Sequence, residues 1–121
     1  MFNVLVSNTD DHLRNHAFLR DSRGWRLAPA YDLNPTPADV RPRFLALNID
    51  EVDAAASVET ALSVAAAFGI TAADARKIAK EVATAVSRWT KVAAKHGIKP
   101  PQIERMASAF EHRDLVDALA T

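Results

Sequence analysis

No cysteine occurs anywhere in the chain, which excludes disulfides and thiolate metal sites and fits a cytoplasmic protein. Glycine is nearly as scarce. The three that occur, Gly24, Gly69 and Gly97, lie far apart, so the chain has no glycine-rich loop to cradle a phosphate. Net charge is missing too: 15 basic residues balance 15 acidic ones, and no global field steers the protein toward nucleic acid or a membrane. No apolar run approaches the roughly 18 residues of a membrane span. The N-terminus shows no basic segment followed by a long apolar one, which argues against a signal peptide. Internal repeats and low-complexity segments are absent. What is there is an ordinary globular composition over 121 residues, 49% hydrophobic and 25% charged. It suits a single domain, residues 1–121, able to bury a core.

The chain opens on apolar residues with helical spacing, Phe2, Leu5 and Val6. Nothing before them is available to cap a helix, so the opening reads as the last turns of a longer one and the chain as the rear portion of a longer protein. A polar stretch, Asn8-Thr9-Asp10-Asp11-His12-Leu13-Arg14-Asn15, follows at once and is hard to place in a core. Two short apolar runs, His16–Leu19 and Trp25–Ala28, then flank Asp21-Ser22-Arg23-Gly24, the pattern of a hairpin. Trp25 and Tyr31 are expected to anchor it as core or half-core aromatics. Pro35, Pro37 and Pro42 make regular structure improbable in the next loop, and Phe44–Ile49 is expected as one more short strand.

From Ser57 onward the chain reads as alanine-rich helix. Ser57 is a fitting N-cap, Ala61, Leu62, Ala65 and Phe68 form a face, and Gly69 stands where a C′ glycine would. Thr71 and Asp74 cap the next helix in the manner of a capping box. Its apolar face (Ala75, Ile78, Ala79, Val82, Val86, Trp89, Val92 and Ala93) predicts one continuous helix ending near Gly97. Pro100-Pro101 starts a third helix with Ile103, Met106, Ala107 and Phe110 inward, and a last short helix surrounds Leu115–Leu119. His96 and His112 read as helix-terminus residues matched to the local dipole. Residues 1–50 thus carry the polar constellation, and residues 51–121 are scaffold.

The chemistry sits in the front third. Asp10 precedes Asn15 by five residues, and Asp32 follows beyond the hairpin. Phosphoryl transfer asks for such a set. One carboxylate orients the proton of an attacking hydroxyl, while an amide oxygen and a second carboxylate hold magnesium on the phosphates. Magnesium takes hard oxygen ligands, few of them from protein. Protein kinases use this order, Asp-x4-Asn, a short hairpin, then the aspartate of Asp-Phe-Gly. Here the last triplet is Asp32-Leu33-Asn34.

At these residues the sequence resembles a known family. NTDDHLRNHAFL followed by GWRLAPAYDLNP is similar to the C-terminal domain of HipA-like kinases, the toxin components of HipBA-type toxin–antitoxin modules. The likeness is close over residues 8–34 and rests on the order of elements beyond. The fold it implies is α+β, mainly α: the C-lobe portion of a protein-kinase-like fold, with a small β-hairpin packed on a helical bundle. It also implies ATP- and Mg²⁺-dependent phosphorylation of a protein serine or threonine, and a HipB-like DNA-binding antitoxin as partner. Asp10 would be the catalytic base, and Asn15 and Asp32 would bind magnesium and, through it, the nucleotide phosphates. His12 would organise the loop by a hydrogen bond to backbone, and Arg14, where the family often has lysine, would lie near the transferring phosphate. Such kinases carry an upstream lobe with a phosphate-covering loop and an ATP-contacting lysine, to which nothing here corresponds. The 121 residues alone are therefore expected to be an inactive part.

Three other readings compete. His12 and His16, at i and i+4 beside Asp10, have zinc-like spacing, but no third strong ligand is near. The glycine turn in AFGITAADARKIAKEV resembles a helix-turn-helix with Arg76, Lys77 and Lys80 toward DNA. Zero net charge and an unbroken apolar face to Trp89 speak against it, so no direct contact with nucleic acid is expected. A non-catalytic helical interaction domain is the remaining alternative.

Overall fold

The computed structural model describes residues 1–121. It is mainly helical with one small antiparallel hairpin, an α+β chain as the sequence predicts. Helix α1, Phe2–Leu5, is short and ends where Ser7 takes a left-handed backbone, φ 52°. A 3₁₀ turn covers Leu13–Asn15. Strands β1, Phe18–Asp21, and β2, Gly24–Leu27, pair Phe18 with Leu27 and Arg20 with Trp25. Asp21 Oδ1 accepts the Arg23 N–H at 2.8 Å, and Gly24 supplies φ 119°. A side-chain acceptor and a glycine at positive φ make the tight turn that the sequence signals.

Five helices follow: α2 Val58–Ser63, α3 Ala72–Val86, α4 Trp89–Lys95, α5 Pro100–Phe110 and α6 Arg113–Ala120. The expected caps are in place. Ser57 Oγ accepts from Thr60 N at 3.2 Å and Thr71 Oγ1 from Asp74 N at 3.1 Å. Gly69 and Gly97 both hold positive φ where a helix or 3₁₀ turn ends, a conformation that costs a β-carbon dearly. The core is built from Val4, Leu5, Val6, Val58, Ala79, Ala83, Val86, Leu115 and Ala118. Helix α3 packs most extensively on α6. Ala79, Ala83 and Ala118 are wholly buried, and such small side chains let the two backbones come close. No helix is long and apolar enough to cross a membrane.

Five expectations about the fold are corrected. The strand at Phe44–Ile49 is absent, and only an isolated bridge joins Phe44 to Ala55. Pro42 stands just before the segment, and just after it the Asp50 and Asp53 carboxylates accept from the amides of Val52, Asp53 and Ala55, turns that leave no room for a regular strand. The helix predicted to run to Gly97 breaks at Ser87–Arg88. There Thr84 Oγ1 donates to Lys80 O at 2.7 Å and Ser87 Oγ to Thr84 O at 2.9 Å. Hydroxyl back-bonding of this kind loosens and bends a helix. The break lets Trp89 stack on Phe110, with ring centroids 4.4 Å apart and planes 8° from parallel.

The hairpin does not pack on the helical bundle as expected. Trp25 is 71% exposed and Phe18 65%, and Tyr31 is exposed as well. Phe68, Ile78 and Val92, predicted inward, are also exposed. Conversely, the polar stretch thought unfit for a core begins inside it. Ser7, Asn8 and Thr9 are all but fully buried.

Candidate functional site

The segment leaving α1 is held by side chains rather than by regular structure. Asn8 Nδ2 donates to Asn3 Oδ1 at 3.1 Å, and the Asn3 amide donates in turn to Asp11 Oδ2. Asp11 Oδ1 pairs with His16 Nε2 at 3.0 Å. His16, predicted to open the first hairpin strand, instead stands before it as the partner of Asp11. Asp10 points the other way: its side chain is 68% exposed and meets Arg41 Nη1 at 3.5 Å.

Asn15 is buried and closes the loop. Its Oδ1 accepts the His12 N–H at 3.1 Å, and its Nδ2 donates to Asp32 Oδ2 at 2.6 Å. Asp32 holds a left-handed backbone, φ 57°, and its second oxygen accepts from Asn34 Nδ2 at 2.6 Å. A carboxylate tolerates this region better than most side chains, and strain of this kind collects at functional sites. Tyr31 Oη donates to Arg14 O at 2.7 Å, tying the residue before Asp32 to the loop.

The structure therefore brings Asn15 and Asp32 together across the hairpin. Asp10 is bonded to neither, and its one ionic partner is Arg41. Arg14 is exposed, with its side chain outside every ion pair. His12 Nδ1 is buried without a hydrogen-bond partner, while its backbone N–H donates to Asn15 Oδ1. Asn8 Oδ1 and Thr9 Oγ1 are unpartnered in the same way. Three such atoms within five residues are unusual, because buried polar groups are nearly always satisfied.

A cavity of about 170 Å³ opens beside Asn15, lined among others by Asp11, His16, Leu27 and Tyr31. A larger one of about 440 Å³ shares Asn3, Asp11 and His16 with it and is otherwise walled by residues such as Leu45, Ile49 and Phe68. Another of similar size, between Trp89, Ile103 and Phe110, holds no titratable group. No three His, Asp or Glu side chains converge as a metal-binding group. Asn15 and Asp32, the cation ligands expected from the sequence, have oxygen donors of the kind that suits Mg²⁺. Asn15 Oδ1 keeps a second lone pair beyond the one given to His12, and Asp32 offers two oxygens.

Sequence reasoning missed what supports the site. Arg43, remote in sequence from all of it, donates from Nε to Ser7 Oγ at 2.9 Å, from Nη2 to Val4 O at 2.8 Å and from Nη1 to Asp114 Oδ2 at 2.6 Å. Asp114 Oδ1 accepts the Val58 N–H at 2.8 Å, so one carboxylate serves the N-termini of both α2 and α6. His112 caps α6 through Nδ1, which accepts from Leu115 N at 3.4 Å, and its Nε2 faces Leu5 O at 3.2 Å. Burial first, and then the Arg43 charge, lowers its pKa from the ordinary 6.5. The imidazole therefore does not stand where its charge would favour the dipole of α6, as the sequence suggests, because it caps that helix at its N-terminus. No short-range signal marks Arg43 or Asp114; Asp11 was visible only as the neighbour of Asp10.

Compared with known proteins, residues 1–90 match the model of the HipA-like C-terminal domain. No curated protein and no solved structure matches the chain.

Proposed function

Because the chain belongs to the HipA-like C-terminal domain family, we propose that it carries the catalytic-loop half of a kinase transferring the γ-phosphoryl group of ATP to a protein serine or threonine. The observation that supports this most is the Asn15–Asp32 contact at 2.6 Å. There the Asn15 amide, through Nδ2, meets the Asp32 carboxylate from the other end of the hairpin, and the two residues stand in the chain order that phosphoryl transfer uses. Asp10, largely exposed, is open to an incoming hydroxyl and acts as its proton acceptor. Asn15 and Asp32 are the residues to hold Mg²⁺. When bound, the ion neutralises phosphate charge and orients the leaving oxygen. Arg14 offers an unpaired cation to the same region.

Positioning and electrostatics carry most of such a reaction, which suits a loop clamped by Asn3, Asp11, His16 and Tyr31. A cavity of about 170 Å³ is smaller than the roughly 300 Å³ at which small-molecule pockets begin. Further surface is needed to enclose a nucleotide fully, so the isolated chain is proposed to bind Mg²⁺ and ATP weakly and to be inactive in transfer. In the complete kinase the partners are a protein substrate and a HipB-like antitoxin.

The test is a calorimetric titration with ATP and Mg²⁺ of the wild type and Asp32→Asn. Heat of binding in the wild type that falls at least tenfold in affinity in the variant is the expected result. Equal affinity in the two proteins would remove Asp32 from the site and the phosphoryl-transfer reading with it.

A further inference from the structure

Three residues before Asp10, the chain turns through Ser7 at φ 52°. A non-glycine residue in the left-handed region is held there only when its surroundings over-determine it. Here they do. Ser7 Oγ accepts from Arg43 Nε at 2.9 Å and donates to Ala109 O at 2.8 Å, while Ser7 O accepts from Thr36 N at 3.1 Å. The same guanidinium reaches Val4 O and Asp114 Oδ2. It is partly enclosed, with 18% of its side chain exposed against 19% for Asp114.

The stretch from Thr36 to Arg43 forms a strap over this turn. Its middle is fastened to α5, where Asp39 accepts from Arg105 Nη1 at 2.8 Å and Ser108 Oγ accepts from Ala38 N at 3.1 Å. Near its far end Arg41 meets Asp10. An ion pair kept for stability alone is replaceable by apolar residues at little cost. A planar fork aimed at three acceptors in different directions fixes geometry as well.

We infer that Arg43 is a positioning residue for Asp10: through Ser7 it sets the direction in which the chain leaves α1, and so the placement of the Asn8–Asp10 segment. The inference rests on the reading of Asp10 as the proton acceptor. It goes beyond that reading by making the scaffold helices α5 and α6 determinants of where the carboxylate stands.

Residue-resolved amide hydrogen exchange on the full chain tests it without nucleotide, so its failure is distinct from failure of the phosphoryl-transfer reading. In Arg43→Lys, one donor group replaces the fork. Exchange of the Asn8 and Thr36 amides, bonded to Asn3 O and Ser7 O, should accelerate at least tenfold. The α3 amides of Ala79 and Ala83 should change less than twofold, and the Asp10 amide resonance should move. Ser7→Ala, which removes only the hydroxyl, should give the same local pattern and serves if Arg43→Lys does not fold. Unchanged exchange at Asn8 and Thr36, acceleration shared equally by α3, or an unmoved Asp10 amide resonance would overturn the inference.

Discussion

Asn15 and Asp32, 17 positions apart, share a hydrogen bond of 2.6 Å that spans the base of an exposed hairpin. It joins a buried amide to an exposed carboxylate whose backbone is left-handed. Asparagine is as much at ease in that region as aspartate. Asp32→Asn should therefore fold normally, with a thermal midpoint within a few degrees of wild type. The Asn15 side-chain amide resonances should shift strongly. A midpoint lowered by ten degrees or more would mean that Asp32 is chiefly a structural residue.

Asp114→Ala leaves Arg43 partly enclosed without its carboxylate and strips the acceptor from Val58 N. Breaking a buried pair from one side costs about 3 kcal/mol. Exposure of nearly a fifth of each side chain places the expected loss at or below that figure. Urea unfolding of the variant measures it. The double variant Arg43→Met, Asp114→Leu should lose less than the single one, because no orphaned charge remains.

His112 predicts a pH dependence. Burial and the Arg43 charge lower its folded pKa, against weaker opposing effects of Asp114 and of the Leu5 and Ala109 backbone. The unfolded chain then binds the proton more readily than the folded one, so stability rises with pH across the interval. It should be complete above the ordinary value of 6.5 and decline as pH falls from there toward the folded pKa. Thermal midpoints measured from pH 7.5 to 5 should show this fall. It should shrink in His112→Asn, which keeps a capping side chain but cannot titrate.

The Trp89–Phe110 stack is the joint between α4 and α5. Phe110→Ala should cost about 2–4 kcal/mol, combining lost burial with the aromatic pair. Trp25→Ala, by contrast, should lie within about 0.5 kcal/mol of wild type, as expected for an exposed position. Chemical denaturation of the two variants side by side separates a packed aromatic ring from an exposed one. Equal losses would mean that the hairpin is covered after all.

Helix caps and turns were legible because each is a local contract between neighbours. Ser57, Thr71, Gly69, Gly97 and the Asp21–Gly24 turn all act within a few residues of themselves, and all stand where their chemistry predicts. The candidate site was legible in part, since the order Asp10, Asn15, Asp32 is written along the chain. What failed was whatever depends on a distant neighbour. Trp25 and Phe68 look like core residues by type but remain largely exposed. The break at Ser87 needs the Phe110 ring to give the next turn its direction.

The sequence by itself determined that this is a mainly helical chain with one hairpin, and which oxygen-bearing side chains border it. Periodicity, caps and turn residues are short-range and survive reading in one dimension. Only the tertiary structure decided that Asn15 meets Asp32, that Asp10 faces Arg41, and that Ser7 is pinned in a left-handed turn by Arg43 and Ala109. Those contacts join residues far apart in the chain. Their geometry is set by how α1, α5 and α6 pack, and no local pattern encodes it.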